Sequence, residues 1–238
     1  MSAEFGAGFG HGLGAGFDPG LGGAIVAIDT ATSRVVVAIG RMDGSLVAET
    51  SPDAGQRHGE TLLPSLERTL ARAALERSAI VAIVVGTGPG TFTGLRVGLS
   101  TAKGLAIGLG RPIVAVATWQ ALLAASPSAA SALVQPAGPQ GRLLVHGGRI
   151  RELAPDESID VPDEALIAVD LAGRAPLDAS QRGAEALAGL GLALVRLGAA
   201  RLAAGPSDDP ATIVPEYVTR PRGVVGEGGE VEWSRDRR

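Results

Sequence analysis

The chain has no cysteine, no asparagine, a single lysine (Lys103) and only 3% aromatic residues. Without cysteine there is no disulfide, no thiol nucleophile and no Cys-ligated zinc or iron–sulfur site. Hydrophobic content is nevertheless 45%, so the core has to be built from small aliphatic side chains. The shortage of Lys and Asn beside abundant Gly and Ala is the bias that GC-rich codons leave, and it says little about function. A basic stripe is also missing, and the net charge is -4. Phosphate neutralisation supplies most of the affinity for nucleic acid, so strong direct binding is disfavoured. No run of about 18 apolar residues is free of charge, so no membrane span is expected. The first residues have neither a basic n-region nor a compact apolar h-region, so no signal peptide is expected and the default location is cytoplasmic.

A length of 238 residues fits one two-lobed domain or two small ones. Residues 1–23 form a Gly/Phe leader, expected to be disordered because ordering repeated glycine is entropically costly. His11 lies in it and is given no role. The runs "AIVAID" (24–29), "RVVVAIG" (34–40) and "SLVAET" (45–50) read as three strands, with Asp43-Gly44 as the hairpin turn between the last two. "HGETLLPSLERTLARAALERS" places Leu62, Leu66, Leu70 and Ala73 at helical spacing, with Pro64 expected in the first turn. "AIVAIVVG" (79–86) is a strand covered on both faces. A glycine-rich turn, a helix over about 94–109, the strand "PIVAVA" and the helical "TWQALLAA" follow. The order β-β-β-α-β-α-β describes a meander running into parallel strands with crossover helices. Beyond it, "SALVQPA", "GRLLVHGG" and "ALIAVDLAG" read as strands and 183–205 as a long apolar helix. The expected divisions are a leader (1–23), a first lobe (24–118), a second lobe (119–222) and a mobile tail (223–238).

The turn "GTGPGTFTGLR" (86–96) lies between a strand and a helix, where phosphate cradles occur. It fails both familiar patterns. Leu95 and Arg96 stand where a Walker A loop needs Lys and Ser/Thr, and the G-x-G-x-x-G spacing meets Thr91 or Thr93 at its third glycine. The helix behind it carries Gly94, Gly98, Thr101 or Ala102, and Leu105 on one face, with Gly104 and Gly108 repeating the small-residue pattern. Each helical glycine costs up to about 1 kcal/mol, so close backbone approach is implied. Packing inside the lobe and contact with a partner's helix both satisfy that requirement.

Catalytic constellations are sparse. Ser100 and Lys103 spell S-x-x-K, but no K-T-G accompanies them, and "GLSTA" lacks the second glycine of a nucleophile elbow. His58 has Leu62 at its i+4 position, and three scattered histidines make no metal cluster; a cap or surface role fits His58 better. Asp29 ends the first strand, where an acid either caps a turn through backbone N–H groups or holds metal and nucleotide.

The stretches "IVAIDTATSRVVVAIG", "RHGETLLPSLERTL", "AIVVGTGPGTFTGLRVGLSTAKGLAIGLGRPIVAVATWQALL" and "VPEYVTRP" resemble the TsaB (YeaZ) family. The likeness is dense from Ala24 to Ala125 and thin afterwards. It implies an α/β fold of two ribonuclease H-like lobes, of the actin, hexokinase and Hsp70 (ASKHA) superfamily, with the second lobe degenerate. In superfamily members that hydrolyse ATP, the first strand-to-strand turn carries an acid with glycine and hydroxyls; here Ala31 and Thr32 replace the glycine. The stretch "PAGPQGRLL" stands where many family members carry an Asp-Ala-Arg-rich turn, and it has neither the Asp nor the paired Arg.

The resemblance further implies a non-catalytic subunit, with no cofactor and no metal of its own. Such a subunit pairs with the catalytic TsaD through first-lobe helices and works with the ATPase TsaE. It meets tRNA only through that complex, which places a threonylcarbamoyl group on the adenosine beside the anticodon. The residues expected at the partner interface are Leu62, Leu66, Val97, Thr101 and Leu105. A homodimer is the alternative use of the same face. The alternative activity is an ATP-dependent phosphotransferase or metallopeptidase-like enzyme of the same fold.

Overall fold

Strand β1 (Ala24–Asp29) is buried along its whole length, and its side chains alternate between two cores. It is the centre of the first sheet in a computed structural model, which describes residues 23–138, 141–154, 157–171 and 173–217 of the chain. The expected disorder of residues 1–22 and the expected mobility of the tail lie outside the described residues. β1 pairs antiparallel with β2 (Val36–Arg41), which pairs antiparallel with β3 (Leu46–Thr50). At the β2–β3 turn Gly44 takes φ +82° and Asp43 Oδ1 accepts the Ser45 N–H at 2.8 Å, so Asp-Gly does there what its chemistry predicts. Helix α1 (His58–Arg72) leads to β4 (Ile80–Gly86), parallel to β1, and helix α2 (Phe92–Leu109) leads to β5 (Ile113–Val116), parallel to β4. The sheet order is β3-β2-β1-β4-β5.

After helix α3 (Thr118–Ala125), strands β6 (Ala132–Ala137), β7 (Gly141–His146), β8 (Arg149–Leu153) and β9 (Leu166–Ala168) form a second sheet of order β8-β7-β6-β9. Its first three strands are antiparallel and the fourth returns parallel to the first of them. This is the first sheet's topology over again, without the fifth strand and with only a short 3-10 turn (Asp163–Ala165) before β9. The fold is therefore α/β with two ribonuclease H-like lobes, the second reduced. Strand β8 was not foreseen, although Gly147-Gly148, both at positive φ, supply the hairpin signal before it.

Helix α4 (Leu177–Ala204) is long and apolar enough to cross a membrane, but half of its apolar stretch is buried within the protein. It packs with α3 between the two sheets, where Leu190, Leu194 and Val195 meet Ile25, Ala27 and Val84 of the first sheet and Leu133 and Ile167 of the second. Gly198 permits the approach, since a Cβ there would overlap the Val84 side chain. The opposite face of the first sheet is covered by α1 and α2. Helix α4 starts at Leu177, six residues before the expected boundary. Pro64 lies inside α1 rather than in its first turn, because the helix already begins at His58. Pro64 and Glu60 are both on the exposed side, where water replaces the missing donor.

Candidate functional site

The C-terminal ends of β1 and β4 point at the junction of the two lobes, where the glycine turn lies. Asp29 is fully buried there. Its Oδ1 accepts the Ala31 N–H at 2.9 Å, and its Oδ2 accepts the Thr118 hydroxyl at 2.5 Å. Thr118 in turn accepts the Gly88 N–H at 2.9 Å. One carboxylate thus ties the β1–β2 turn to the first residue of α3 and, through it, to the glycine turn. Burial pushes the Asp29 carboxyl up to about 6, against the lowering effect of its bonds to Thr118 and Ala31. Gly86 makes room for it, because a Cβ at that position would overlap the carboxylate. Of the two roles open to Asp29 from sequence, the geometry shows the turn-capping one.

The glycine turn is spent on packing. A Cβ on Gly90 would overlap the Ala31 carbonyl, and the Thr91 N–H is donated to that carbonyl at 2.8 Å. A Cβ on Gly94 would overlap the Thr30 carbonyl, and one on Gly98 the Thr30 hydroxyl. The Thr30 hydroxyl donates to the Gly94 carbonyl at 2.7 Å. Gly104 and Gly108 have open space around them. The two glycine patterns of α2 therefore have separate uses: Gly94 and Gly98 seat the helix on β1, while Gly104 and Gly108 face outward.

The lobes enclose a cleft of about 430 Å³ lined by Ala31, Thr32, Ser33, Pro89, Phe92 and Asp170, among others. Two bonds cross it. Asp170 accepts the Ser33 N–H at 2.6 Å and the Ser33 hydroxyl at 2.7 Å, and the buried Gln135 side chain donates to the Pro89 carbonyl at 2.8 Å. The turn's polar groups are used internally as well: the Arg34 N–H reaches Thr32 Oγ1 at 3.2 Å, and His58 Nε2 lies 2.8 Å from the Thr32 carbonyl. His58 is buried, so its expected place at the surface is corrected; its ring ties the start of α1 to the turn. Among the described residues no three His, Asp or Glu side chains come together as a metal set.

Beside the cleft, the Arg96 guanidinium lies 3.7 Å over the Phe92 ring and donates to the Tyr217 hydroxyl at 2.9 Å. With the Glu216 N–H on the Thr87 carbonyl (2.8 Å), this holds the C-terminal segment against the first lobe. Sequence reading missed this staple, and also Ser33, Thr118, Gln135 and Asp170. Their partners lie far off in the chain, so no local spacing marks them.

The expected interface residues divide. Leu62 and Leu66 are buried in the core between α1 and the sheet and offer no surface, which corrects their assignment. The most regular apolar stripe of a helix faces its own core. Val97, Thr101 and Leu105 are half-buried along one flank of α2. The exposed large apolar side chains on these helices are Leu63 (53% exposed), Ile107 (70%) and, at the cleft end of α2, Phe92 (38%).

Two ribonuclease H-like lobes around a cleft crossed by the chain's own bonds define an ASKHA-type protein. The family model "TsaD: tRNA N6-adenosine threonylcarbamoyltransferase" matches residues 51–176, just over half of the chain. The chain belongs to that family, on its TsaB (YeaZ) side. It is 38% identical over 96 residues to the "tRNA threonylcarbamoyladenosine biosynthesis protein TsaB" of Escherichia coli, covering 40% of each chain. It is 30% identical over 146 residues to the protein of that name in Bacillus subtilis, covering 58% of this chain and 63% of the relative. The matches thus span roughly two fifths to under two thirds of these relatives. Among solved structures, YeaZ from Pseudomonas aeruginosa is 27% identical with a TM-score of 0.59, covering 82% of this chain and all of that one.

Proposed function

We propose that the chain is a non-catalytic subunit in the biosynthesis of threonylcarbamoyladenosine in tRNA. It docks on a TsaD-type catalytic subunit and supports it. The observation that carries this reading is the outer side of α1 and α2, where Leu63 and Ile107 are exposed and Gly104 and Gly108 leave room for a partner's backbone. The half-buried Val97, Thr101 and Leu105 flank that side. An interface of standard size buries about 1,600 Å² in total, and two helices from each partner present a surface of that order. The names of the relatives support the pathway, and the family model supports a TsaD-type partner. A TsaE-type ATPase completes the complex, tRNA is met through it, and the location is the cytoplasm.

The cleft supports the non-catalytic part. Three backbone donors of the β1–β2 turn, those of Ala31, Ser33 and Arg34, are already given to Asp29, Asp170 and Thr32, and the Asp170 carboxylate lines the cleft beside them, where it would repel a nucleotide's phosphates.

The test is a calorimetric titration of a TsaD-type subunit into the chain and into Ile107→Arg. The expected result is saturable binding by the wild type and a loss of about tenfold or more in the variant, whose circular dichroism stays unchanged. Equal binding by both would refute the assigned face. Competition by self-association at higher concentration would instead give the face to a second copy.

A further inference from the structure

We propose that the C-terminal segment 218–222 crosses the cleft between the lobes and sets an arginine against Asp170. Among the described residues that line the cleft, Asp170 is the only charged one. Each of its carboxylate oxygens accepts one bond from Ser33, at 2.6 and 2.7 Å. A carboxylate oxygen has two acceptor sites, so one is left on each. A pair of such sites is what the planar fork of a guanidinium takes. The ion pairs found among the described residues join Arg77 to Glu67, Arg151 to Glu157 and Arg201 to Asp208, and none involves Asp170. Around the carboxylate the wall is largely apolar, with Pro89, Phe92, Pro136, Leu143 and Val169. Such a space selects a cation carried on an apolar stem.

The chain brings that cation to the mouth of the cleft itself. Ile213 is buried in the first-lobe core, and the Glu216 N–H is donated to the Thr87 carbonyl at 2.8 Å. The Tyr217 ring lies 5.3 Å from the Phe92 ring, and its hydroxyl accepts the Arg96 Nε–H at 2.9 Å. Phe92 is part of the cleft wall, so the residues after Tyr217 start beside the cleft. They read Val218-Thr219-Arg220-Pro221-Arg222, two arginines about a proline with no acid among them. Extended chain advances about 3.4 Å per residue, so Arg220 lies within about 10 Å of Tyr217 and Arg222 within about 17 Å. That span crosses a cleft of about 430 Å³.

The first lobe holds Tyr217 and the second supplies Asp170 just past β9, so the segment straps one lobe to the other. The tether gives its arginines a high local concentration at the cleft, which a free cation has to overcome. This inference concerns the isolated chain and does not depend on the docking role.

The chain has no cysteine, so Gly226→Cys in the full chain carries a single nitroxide label, four residues past Arg222. Paramagnetic broadening of backbone amides is read by 15N NMR. The Arg96 amide reports the anchored end of the segment, and the Gly138 and Val169 amides report the second-lobe wall. Broadening is expected at all three. In the labelled chain with Arg220→Gln and Arg222→Gln it is expected to be lost at Gly138 and Val169 and kept at Arg96. Labelled Asp170→Asn is expected to show the same loss, and raised ionic strength a weaker one. Should Asp170→Asn fail to fold, the arginine variant decides alone. The inference is overturned if Gly138 and Val169 are not broadened in the labelled parent, or if they stay broadened in either folded variant.

Discussion

Asp29→Asn, followed by urea unfolding at several pH values, isolates an electrostatic cost beneath the cleft. Asp29 is fully buried, and its carboxyl is pushed from 3.8 up to about 6, chiefly by loss of water. Below the unfolded value the acid is protonated in both states and costs nothing. Between 3.8 and about 6 the unfolded chain releases the proton while the folded chain keeps it, so stability falls as pH rises. Above about 6 the folded carboxyl is also ionised and the loss is complete. A difference of about two pKa units corresponds to about 3 kcal/mol. In Asp29→Asn the amide carbonyl still accepts the Ala31 N–H, and the amide N–H₂ meets the Thr118 hydroxyl, which can accept. The variant should therefore lack this pH-dependent loss. The wild type, compared with it, should lose about 3 kcal/mol between pH ~3 and pH ~7. A difference that stays constant over that range would refute the reasoning, because it would mean that burial does not control the proton on Asp29.

Gly98→Val should destabilise the chain by about 2 kcal/mol or more, since the added carbons meet the Thr30 hydroxyl at the β1–β2 turn; chemical denaturation reads it. Gly104→Ala has open space and should stabilise the isolated chain by up to about 1 kcal/mol in the same assay, while weakening partner binding. Leu62→Ala should cost about 2–5 kcal/mol and Leu63→Ala about 0.5 kcal/mol or less, whereas in a pulldown with the TsaD-type subunit only Leu63→Ala should matter at temperatures where both are folded.

The first lobe was legible because its signals are local. "AIVAID", apolar up to its terminal Asp29, and "AIVAIVVG" give strands buried on both faces, and Asp43-Gly44 makes the hairpin turn. Boundaries were less legible where a distant contact sets them. His58 starts α1 by reaching the Thr32 carbonyl across 26 residues, which moves Pro64 from the first turn into the helix interior. Leu62 and Leu66 carry the period of a helix face, but period alone gives a stripe and not its direction. Leu63, one residue off that stripe, is the exposed one. The cleft was least legible, because Asp170 and Ser33 are joined only by the folding of one lobe onto the other, and neither lies in a motif.

The central claim is that this chain contributes a docking surface and that bond-making belongs to its partner. The most direct measurement is threonylcarbamoyl transfer to tRNA, reconstituted with TsaD-type and TsaE-type subunits. It is run with the wild-type chain, with Ile107→Arg, without the chain, and with the chain alone. The account predicts transfer only when the wild-type chain joins its partners, and little when Ile107→Arg replaces it. Transfer by the chain alone, or undiminished transfer without it, would contradict the account.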